Sequence, residues 1–223
     1  MPWASPMLPW ARWCALATML TNKHIAQVLS KPMLQKFGVV LVLAFLLAAC
    51  SPKLDWRAVQ SPQEAYSALF PGKPEKIERR LPYQNQEIPQ TLEAVKIDDD
   101  IYSVSTIHLS KEQASLAPNL LEQLQDNLLS RTNINQGSAV GVDAFYRTAN
   151  KQRATTKDYF LEFQSSGRVE QSMRVRWITR MASDNGVWIY QVSVLHTAPA
   201  RVNAKTFFSE EVYSNFFDEF HPE

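Results

Sequence analysis

Cysteine and histidine are the side chains best suited to nucleophilic or metal chemistry, and this 223-residue chain carries few of them. Its two cysteines are Cys14 and Cys50, so the chain after Cys50 has no disulfide, thiolate nucleophile or cysteine metal site. The later histidines are His108, His196 and His221, and none is spaced to share a metal ion with another. We therefore predict no metal and no cofactor, and we expect structural or solvated histidines.

Two short motifs suggest chemistry but do not meet its requirements. Residues 137–141, GSAVG, are similar to the nucleophile elbow G-x-S-x-G, but the serine stands one position early, which favours a loop entering a strand. Asp98, Asp99 and Asp100 lack the alternating ligands and the glycine of a calcium loop, whereas acidic residues are common in turns. The sequence therefore identifies no catalytic residue. A scattered catalytic site stays open, because such sites are recognised by geometry rather than by order.

The chain is close to neutral overall and mildly acidic after residue 50. Four of its 23 lysines and arginines stand in the first fifty residues, and all 22 acidic residues come later. From Ser51 onward there are therefore 19 basic and 22 acidic residues, a formal charge of −3. An acidic domain without a run of lysines or arginines lacks the basic surface of nucleic-acid-binding proteins. We therefore predict that nucleic acid is not a partner.

An apolar segment precedes Cys50. Residues 37–49 are thirteen residues without a charge, which is short for a membrane-spanning helix of about 20 residues. Lys36 stands before the segment and small residues close it, as in a signal peptide. The sequence therefore predicts a targeting segment that is removed on export.

The end of this segment, Leu47-Ala48-Ala49-Cys50, resembles the lipobox of bacterial lipoproteins. The resemblance implies a diacylglyceryl group on the Cys50 thiol, cleavage between Ala49 and Cys50, and acylation of the new amine. Two or three acyl chains on Cys50 would anchor the protein stably, whereas one chain binds a membrane only marginally. The alternatives are an ordinary secretory signal with a chance cysteine, or an N-terminal membrane helix.

The residue after Cys50 and the length of the leader complete this interpretation. The resemblance to Gram-negative lipoproteins implies the outer membrane, because Ser51 stands where an aspartate commonly retains such proteins in the inner membrane. We expect the domain to face the periplasm, but the sequence leaves open which side of the outer membrane it faces. We expect translation to begin at Met33, so that residues 33–49 are the signal peptide and residues 1–32 an upstream extension. A genuine long leader is the alternative. Residues 50–60 would then be the lipidated cysteine and a tether with Trp56 as its apolar foothold, followed by one domain over residues 61–223.

The domain pattern is mainly β. Apolar alternation predicts strands over residues 76–82, 91–97, 101–109, 159–163, 169–177 and 188–194. Asp184-Asn185-Gly186 is a strong hairpin signal. Residues 62–70 fit either a short helix after Ser61 or a strand carrying Tyr66, Ala68 and Phe70.

Two apolar stripes predict the principal helices, one ending near Arg131 and one beginning after Ser209. Their apolar faces consist of Leu116, Leu120, Leu121, Leu124 and Leu128 in the first, and of Val212, Tyr213, Phe216, Phe217 and Phe220 in the second. The order of elements predicts an α+β fold, a mainly antiparallel sheet with both helices packed on one face. We expect Trp177 and Phe216 to be buried.

Two loose motifs connect this layout to a known type of protein. Residues 69–74, LFPGKP, and residues 215–220, NFFDEF, resemble small bacterial lipoproteins of the PsbP/Mog1/DcrB type. Members of that type are mostly binding or assembly factors, and the resemblance carries no catalytic residues.

One basic surface is predicted. If Val169, Met173, Val175 and Trp177 face the core, strand alternation turns Arg174 and Arg176 outward. With Arg168 and Arg180 they would form an exposed row able to bind an acidic partner or lipid headgroups. The alternative is that neighbours such as Glu162 and Glu170 neutralise the row.

Three functions fit the sequence. The first is a non-catalytic outer-membrane lipoprotein with a protein-interaction or assembly role, whose partners are membrane lipid through Cys50 and an envelope protein. The second is a carrier of a lipid or other apolar ligand, and the third is an enzyme without a recognisable motif. A deep apolar cavity would favour the carrier, and convergent titratable groups with shifted pKa values would favour the enzyme.

Overall fold

The structure is a computed structural model that describes residues 54–134, 138–165 and 167–223. Residues Leu54–Glu223 form one compact unit. The leader, Leu47, Ala48, Ala49, Cys50 and Ser51 lie outside the described residues, so the lipobox remains a prediction from sequence. Within the described ranges, no helix is both long and apolar enough to cross a membrane.

Ten strands form two antiparallel sheets in this part of the chain. The strands are β1 Arg57–Ser61, β2 Tyr66–Phe70, β3 Glu75–Tyr83, β4 Gln86–Ile97, β5 Asp100–Leu109, β6 Ser138–Arg147, β7 Arg153–Ser165, β8 Arg168–Met181, β9 Val187–His196 and β10 His221–Pro222. The small sheet has the order β1-β2-β10, and the large sheet has the order β3-β4-β5-β9-β8-β7-β6. All six predicted strands are confirmed, and each is longer than predicted.

The helices are α1 Ala117–Ile134, α2 Ala204–Phe207 and α3 Glu211–Asp218, and short 3₁₀ turns cover Pro62–Glu64 and Ala114–Leu116. Pro118 lies in the first turn of α1, where a missing N–H costs no hydrogen bond. The terminal helix starts after Glu210 rather than after Ser209, and Phe220 lies beyond its end but is fully buried.

Turn residues shape two of the hairpins, the β4–β5 hairpin and the β8–β9 hairpin that the sequence predicts. Asp98 and Asn185 have φ values of 51° and 63°, a left-handed conformation that these residue types tolerate well. The Asp184 carboxylate accepts a hydrogen bond from the Gly186 N–H at 2.8 Å. A Cβ at Gly186 would stand 2.4 Å from the carbonyl oxygen of Leu109, so this close approach of two backbones requires glycine.

The start of the domain differs from the prediction. Residues 62–64 form a single 3₁₀ turn, and the Tyr66, Ala68 and Phe70 alternation belongs to β2. Residues 57–60 are not a tether, because they pair with β2 as part of β1. Trp56 packs against the core, as predicted.

The α+β class with mainly antiparallel sheets is confirmed, but the helices do not share one face of the large sheet. Val175 packs in an apolar cluster with Leu128 of α1. Val192 packs in another with Phe216 of α3. Val192 is the register partner of Arg176, the residue after Val175, and therefore faces the opposite side. The one-face prediction is wrong because every residue from 172 to 178 is buried, so β8 needs cover on both sides.

An aromatic core joins α3 and the small sheet to the large sheet. Phe216 is fully buried, and its ring centre lies 5.3 Å from those of Phe70 and Tyr102. Trp177 is also buried, on the α1 side. Both burial predictions are confirmed. The side chains of Tyr66, Tyr190 and Tyr213 are buried in the same core.

These tyrosines predict a loss of stability in alkali. Burial raises the pKa of Tyr66, Tyr102, Tyr190 and Tyr213 above the ordinary value of 10.0. Because the folded chain favours the neutral hydroxyl, this contribution is complete below pH 10 and is lost as pH rises above it. The free energy of unfolding should fall by up to about 1.4 kcal/mol per pH unit for each tyrosine.

Urea unfolding at a series of pH values measures this slope. Tyr102→Phe keeps the ring and removes one ionisable hydroxyl, so its slope above pH 10 should be shallower than that of the wild type. Equal slopes for the two proteins would contradict the assignment.

Candidate functional site

Two arginines of β8 and one aspartate of β7 form a buried ionic cluster. Asp158 is the register partner of Arg176, and Arg174 stands two residues away on the same face. The Asp158 carboxylate lies 2.5 Å from Nε of Arg176 and 2.6 Å from Nη2 of Arg174. Relative exposures are 3% for Asp158, 8% for Arg174 and 1% for Arg176. The carboxylate accepts four hydrogen bonds from the two guanidinium groups.

The same guanidinium groups hold the ends of the short helices. Arg174 Nη1 donates to the carbonyl oxygen of Phe208, the residue after α2, at 3.2 Å. Arg176 Nη1 donates to the carbonyl oxygen of Phe217, in the last turn of α3, at 2.9 Å. Carbonyls at helix C-termini lack partners within the helix. The Phe217 ring lies 4.0 Å from the Arg174 guanidinium, a cation–π contact. The cluster therefore fastens both helices to the sheet.

The predicted exposed row of arginines is wrong. Arg174 and Arg176 are buried because α2 and α3 cover the face that alternation assigned to solvent. Arg168 is exposed at the start of β8, and Arg180 donates to the Glu223 backbone carbonyl at 3.4 Å. The four arginines therefore do not share one surface.

The neutralising residue is also different from the prediction. Asp158 pairs with both buried arginines, whereas the Glu162 carboxylate accepts the Ala204 backbone N–H at 2.8 Å, at the start of α2. Burial lowers the pKa of Arg174, and the charge of Asp158 opposes this effect. Asp218 adds a weaker opposing charge. The cluster itself holds two positive charges against one negative charge.

A cavity of about 1050 Å³ opens beside the cluster. Its walls come from β6, the β6–β7 turn and the segment around α2 and α3. Asp158, Arg174 and Arg176 line it. Its basic residues are Arg147, Lys151, Arg153, Arg174, Arg176 and Lys205, and its acidic residues are Asp143, Asp158, Asp218 and Glu219. The lining is therefore charged, with two more basic than acidic side chains.

The three histidines after Cys50 do not form one site, because each contacts different residues. His196 Nδ1 is 2.7 Å from the Asp100 carboxylate, which also accepts the Tyr213 hydroxyl at 3.0 Å. His108 stacks on the Trp188 ring, with ring centres 4.3 Å apart. His221 lines the cavity, and its Nδ1 lies 3.2 Å from the Arg147 carbonyl oxygen. Across the described residues, no group of three or more histidine, cysteine, aspartate or glutamate side chains could hold a metal ion.

The sequence pattern does not indicate Asp158, because Asp158 precedes the strand predicted over residues 159–163. Phe160 and Leu161 are both buried although they face opposite sides of β7, so this apolar pair was the available signal. A run that is apolar on both faces is typical of a strand covered twice.

Comparison with known proteins does not identify a family for this chain. No protein-family model matches the sequence, and no curated protein matches it.

The cluster predicts a large stability effect. Asp158→Ala removes the carboxylate and leaves two buried guanidinium groups uncompensated, so it should lower the free energy of unfolding by about 3–5 kcal/mol. Asp143→Ala is the matched control, because Asp143 lines the same cavity but is exposed. It should change stability by no more than about 0.5 kcal/mol.

Urea unfolding of both variants measures the difference. Combining Asp158→Ala with Arg176→Met removes one of the stranded charges and should recover part of the loss. An Asp158→Ala protein as stable as Asp143→Ala would contradict the role assigned to the cluster.

Proposed function

We propose that this protein is an outer-membrane-anchored envelope lipoprotein, held by acylated Cys50, whose folded domain binds a protein partner without catalysing a reaction. The binding role rests on the large charged cavity beside the Asp158–Arg174–Arg176 cluster. The membrane address rests on the lipobox sequence that ends at Cys50.

The character of the cavity favours a protein partner over an apolar ligand. Sites for small apolar ligands are lined predominantly by hydrophobic and aromatic side chains. Here the floor is an ionic cluster, and Arg147, Lys151, Arg153 and Lys205 stand exposed around the walls. Both faces of the large sheet are instead filled by side chains of the three apolar clusters. An acyl chain would therefore meet charged groups in this cavity.

The state of Asp158 also favours binding over catalysis. A general acid or base must exchange a proton with substrate from within hydrogen-bond distance. Asp158 already accepts four hydrogen bonds from two guanidinium groups, so both of its carboxylate oxygens are engaged in structural contacts. The other three acidic residues of the lining are exposed.

The anchor would keep this domain near the membrane. Trp56, which packs on the core, stands six positions after Cys50 in the sequence. A fully extended segment of that length reaches about 20 Å. A partner of the domain would then be a membrane protein or a protein bound close to the membrane.

Metabolic labelling with an alkyne fatty acid tests the anchor. Cys50→Ala should lose the label and accumulate as an uncleaved precursor, because the acylated thiol is absent. Cys14→Ala is the matched control and should be labelled like the wild type. Label that persists in Cys50→Ala would contradict the lipoprotein assignment.

Charge reversal tests the binding role. Lys151→Glu with Lys205→Glu reverses two exposed charges of the cavity, and each substitution should leave stability within about 0.5 kcal/mol. Lys73→Glu with Lys96→Glu makes the same change at exposed lysines outside the cavity. Crosslinking in intact cells followed by purification should show a partner with the wild type and the control pair, but not with the cavity pair. An unchanged crosslinking pattern would contradict binding at this cavity.

A further inference from the structure

The two edges of the large sheet differ in their protection against pairing. β3 carries Glu75, Lys76, Glu78, Arg79, Arg80 and Pro82, and charges and proline are the usual means of preventing edge-to-edge association. β6, at the opposite edge, carries only Asp143 and Arg147 as charged residues. Val140 and Phe145 of β6 are 46% and 45% exposed. The β6 edge therefore lacks the protection that β3 has.

Hydrogen bonds at the β6–β7 turn show which peptide groups of β6 point outward. The Thr148 N–H donates to the Gln152 carbonyl oxygen at 2.9 Å. Hydrogen-bonded and non-hydrogen-bonded pairs alternate along an antiparallel ladder, so Arg147, Phe145 and Asp143 turn their N–H and C=O groups away from β7. The contact of the Arg147 carbonyl oxygen with the His221 ring, which β10 supplies, agrees with this direction.

Only one end of this edge is covered by β10. The Ala149 N–H donates to the Pro222 carbonyl oxygen at 3.0 Å, beyond the end of β6. Before that point, residues 139–145 are exposed or half-buried. Among the residues that the structure describes, none pairs with the remaining length of this edge, which includes the outward peptide groups of Asp143 and Phe145.

The charge beside the open edge is basic. On the β6–β7 hairpin, Arg147, Lys151, Arg153 and Lys157 are exposed, and Asp143 is the one exposed acidic residue between positions 139 and 157. Asp143 and Lys157 are register partners, which leaves three basic residues towards the turn. The Arg153 guanidinium lies 3.6 Å from the centre of the exposed Phe145 ring. Phe145, Arg147 and Arg153 lie on one face of the sheet, and Val140 lies on the other, because strand side chains alternate. These positions suit an extended segment whose acidic side chains lie on the cationic face and whose apolar side chains lie on the opposite face.

We propose that β6 accepts an added β-strand from an acidic, extended segment of the protein partner. This inference rests on the proposed function and specifies the form of the partner. The segment hydrogen-bonds to the outward peptide groups of Asp143 and Phe145, as in other cases of strand addition. Its carboxylates pair with Arg147 and Arg153 on the Phe145 face of the sheet, and its apolar side chains lie on the opposite face, beside Val140.

Binding of a defined peptide to the full-length protein in detergent tests this site. The probe is a short fluorescent peptide of alternating glutamate and valine, and its matched control replaces glutamate by lysine. Asp143→Pro removes an outward N–H at an edge position, where proline is tolerated. Asp143→Ala removes the same carboxylate but keeps the N–H. Anisotropy should show that Asp143→Pro weakens binding of the glutamate peptide about tenfold, the effect of about 1.4 kcal/mol.

Asp143→Ala should bind the glutamate peptide at least as tightly as the wild type does. The lysine peptide should bind poorly to the wild type and to both variants. Equal affinity of wild type and Asp143→Pro, or of the two peptides, would overturn the proposal. If Asp143→Pro does not fold, hydrogen exchange in the wild type decides, because bound glutamate peptide should protect the amides of Asp143 and Phe145. Unprotected amides would overturn it.

Two further results distinguish strand addition from dimerisation through the same edge and from the proposed function as a whole. Sedimentation that shows a wild-type dimer, dissociated by Asp143→Pro, would assign the edge to a second copy of the chain and overturn the acidic-partner proposal. If the glutamate peptide fails to bind while the cavity charge reversal still removes the crosslinked partner, the proposed function stands and only strand addition fails.

Discussion

The buried contact of Asp158 with Arg174 and Arg176 is the interaction on which the rest of this structure depends. It places an ion cluster on a sheet face whose other buried side chains are mainly apolar, and through Arg174 and Arg176 it holds the backbone at the ends of α2 and α3. Burying charge is costly unless pairing and hydrogen bonding are nearly complete. The two helices, the sheet and the carboxylate must therefore be positioned together, and a change in one disturbs the others.

The same requirement explains the character of the cavity. A cavity that is lined by an ionic cluster and by exposed lysines and arginines presents charged groups rather than an apolar lining. β6 forms one wall, and within the described part of the chain its outer edge carries no further strand of the large sheet, so the cavity and this edge are adjacent. An anchor at Cys50 would present that surface near the membrane. Location and recognition would then come from separate parts of the sequence.

The sequence predicted features that depend on local pattern. Alternation located six strands, Asp184-Asn185-Gly186 located a hairpin, and leucine spacing located α1. It failed where burial on both faces of a strand decides the outcome. Arg174 and Arg176 were predicted to be exposed, because alternation with a single buried face of β8 places them in solvent. The same pattern does not indicate that Asp158 of β7 is buried. Only tertiary structure shows that α2 and α3 lie over these residues, or that β6 is an edge.

Site-specific photocrosslinking in intact cells tests the central claim most directly. A photoreactive residue at Phe145 reports on the open edge, and the same residue at Ile77, which is 54% exposed on the charged β3 edge, is the control. We expect crosslinks from position 145 to one acidic segment of one envelope protein, and none to that segment from position 77. Crosslinks from position 145 to lipid alone, or the same products from both positions, would contradict it.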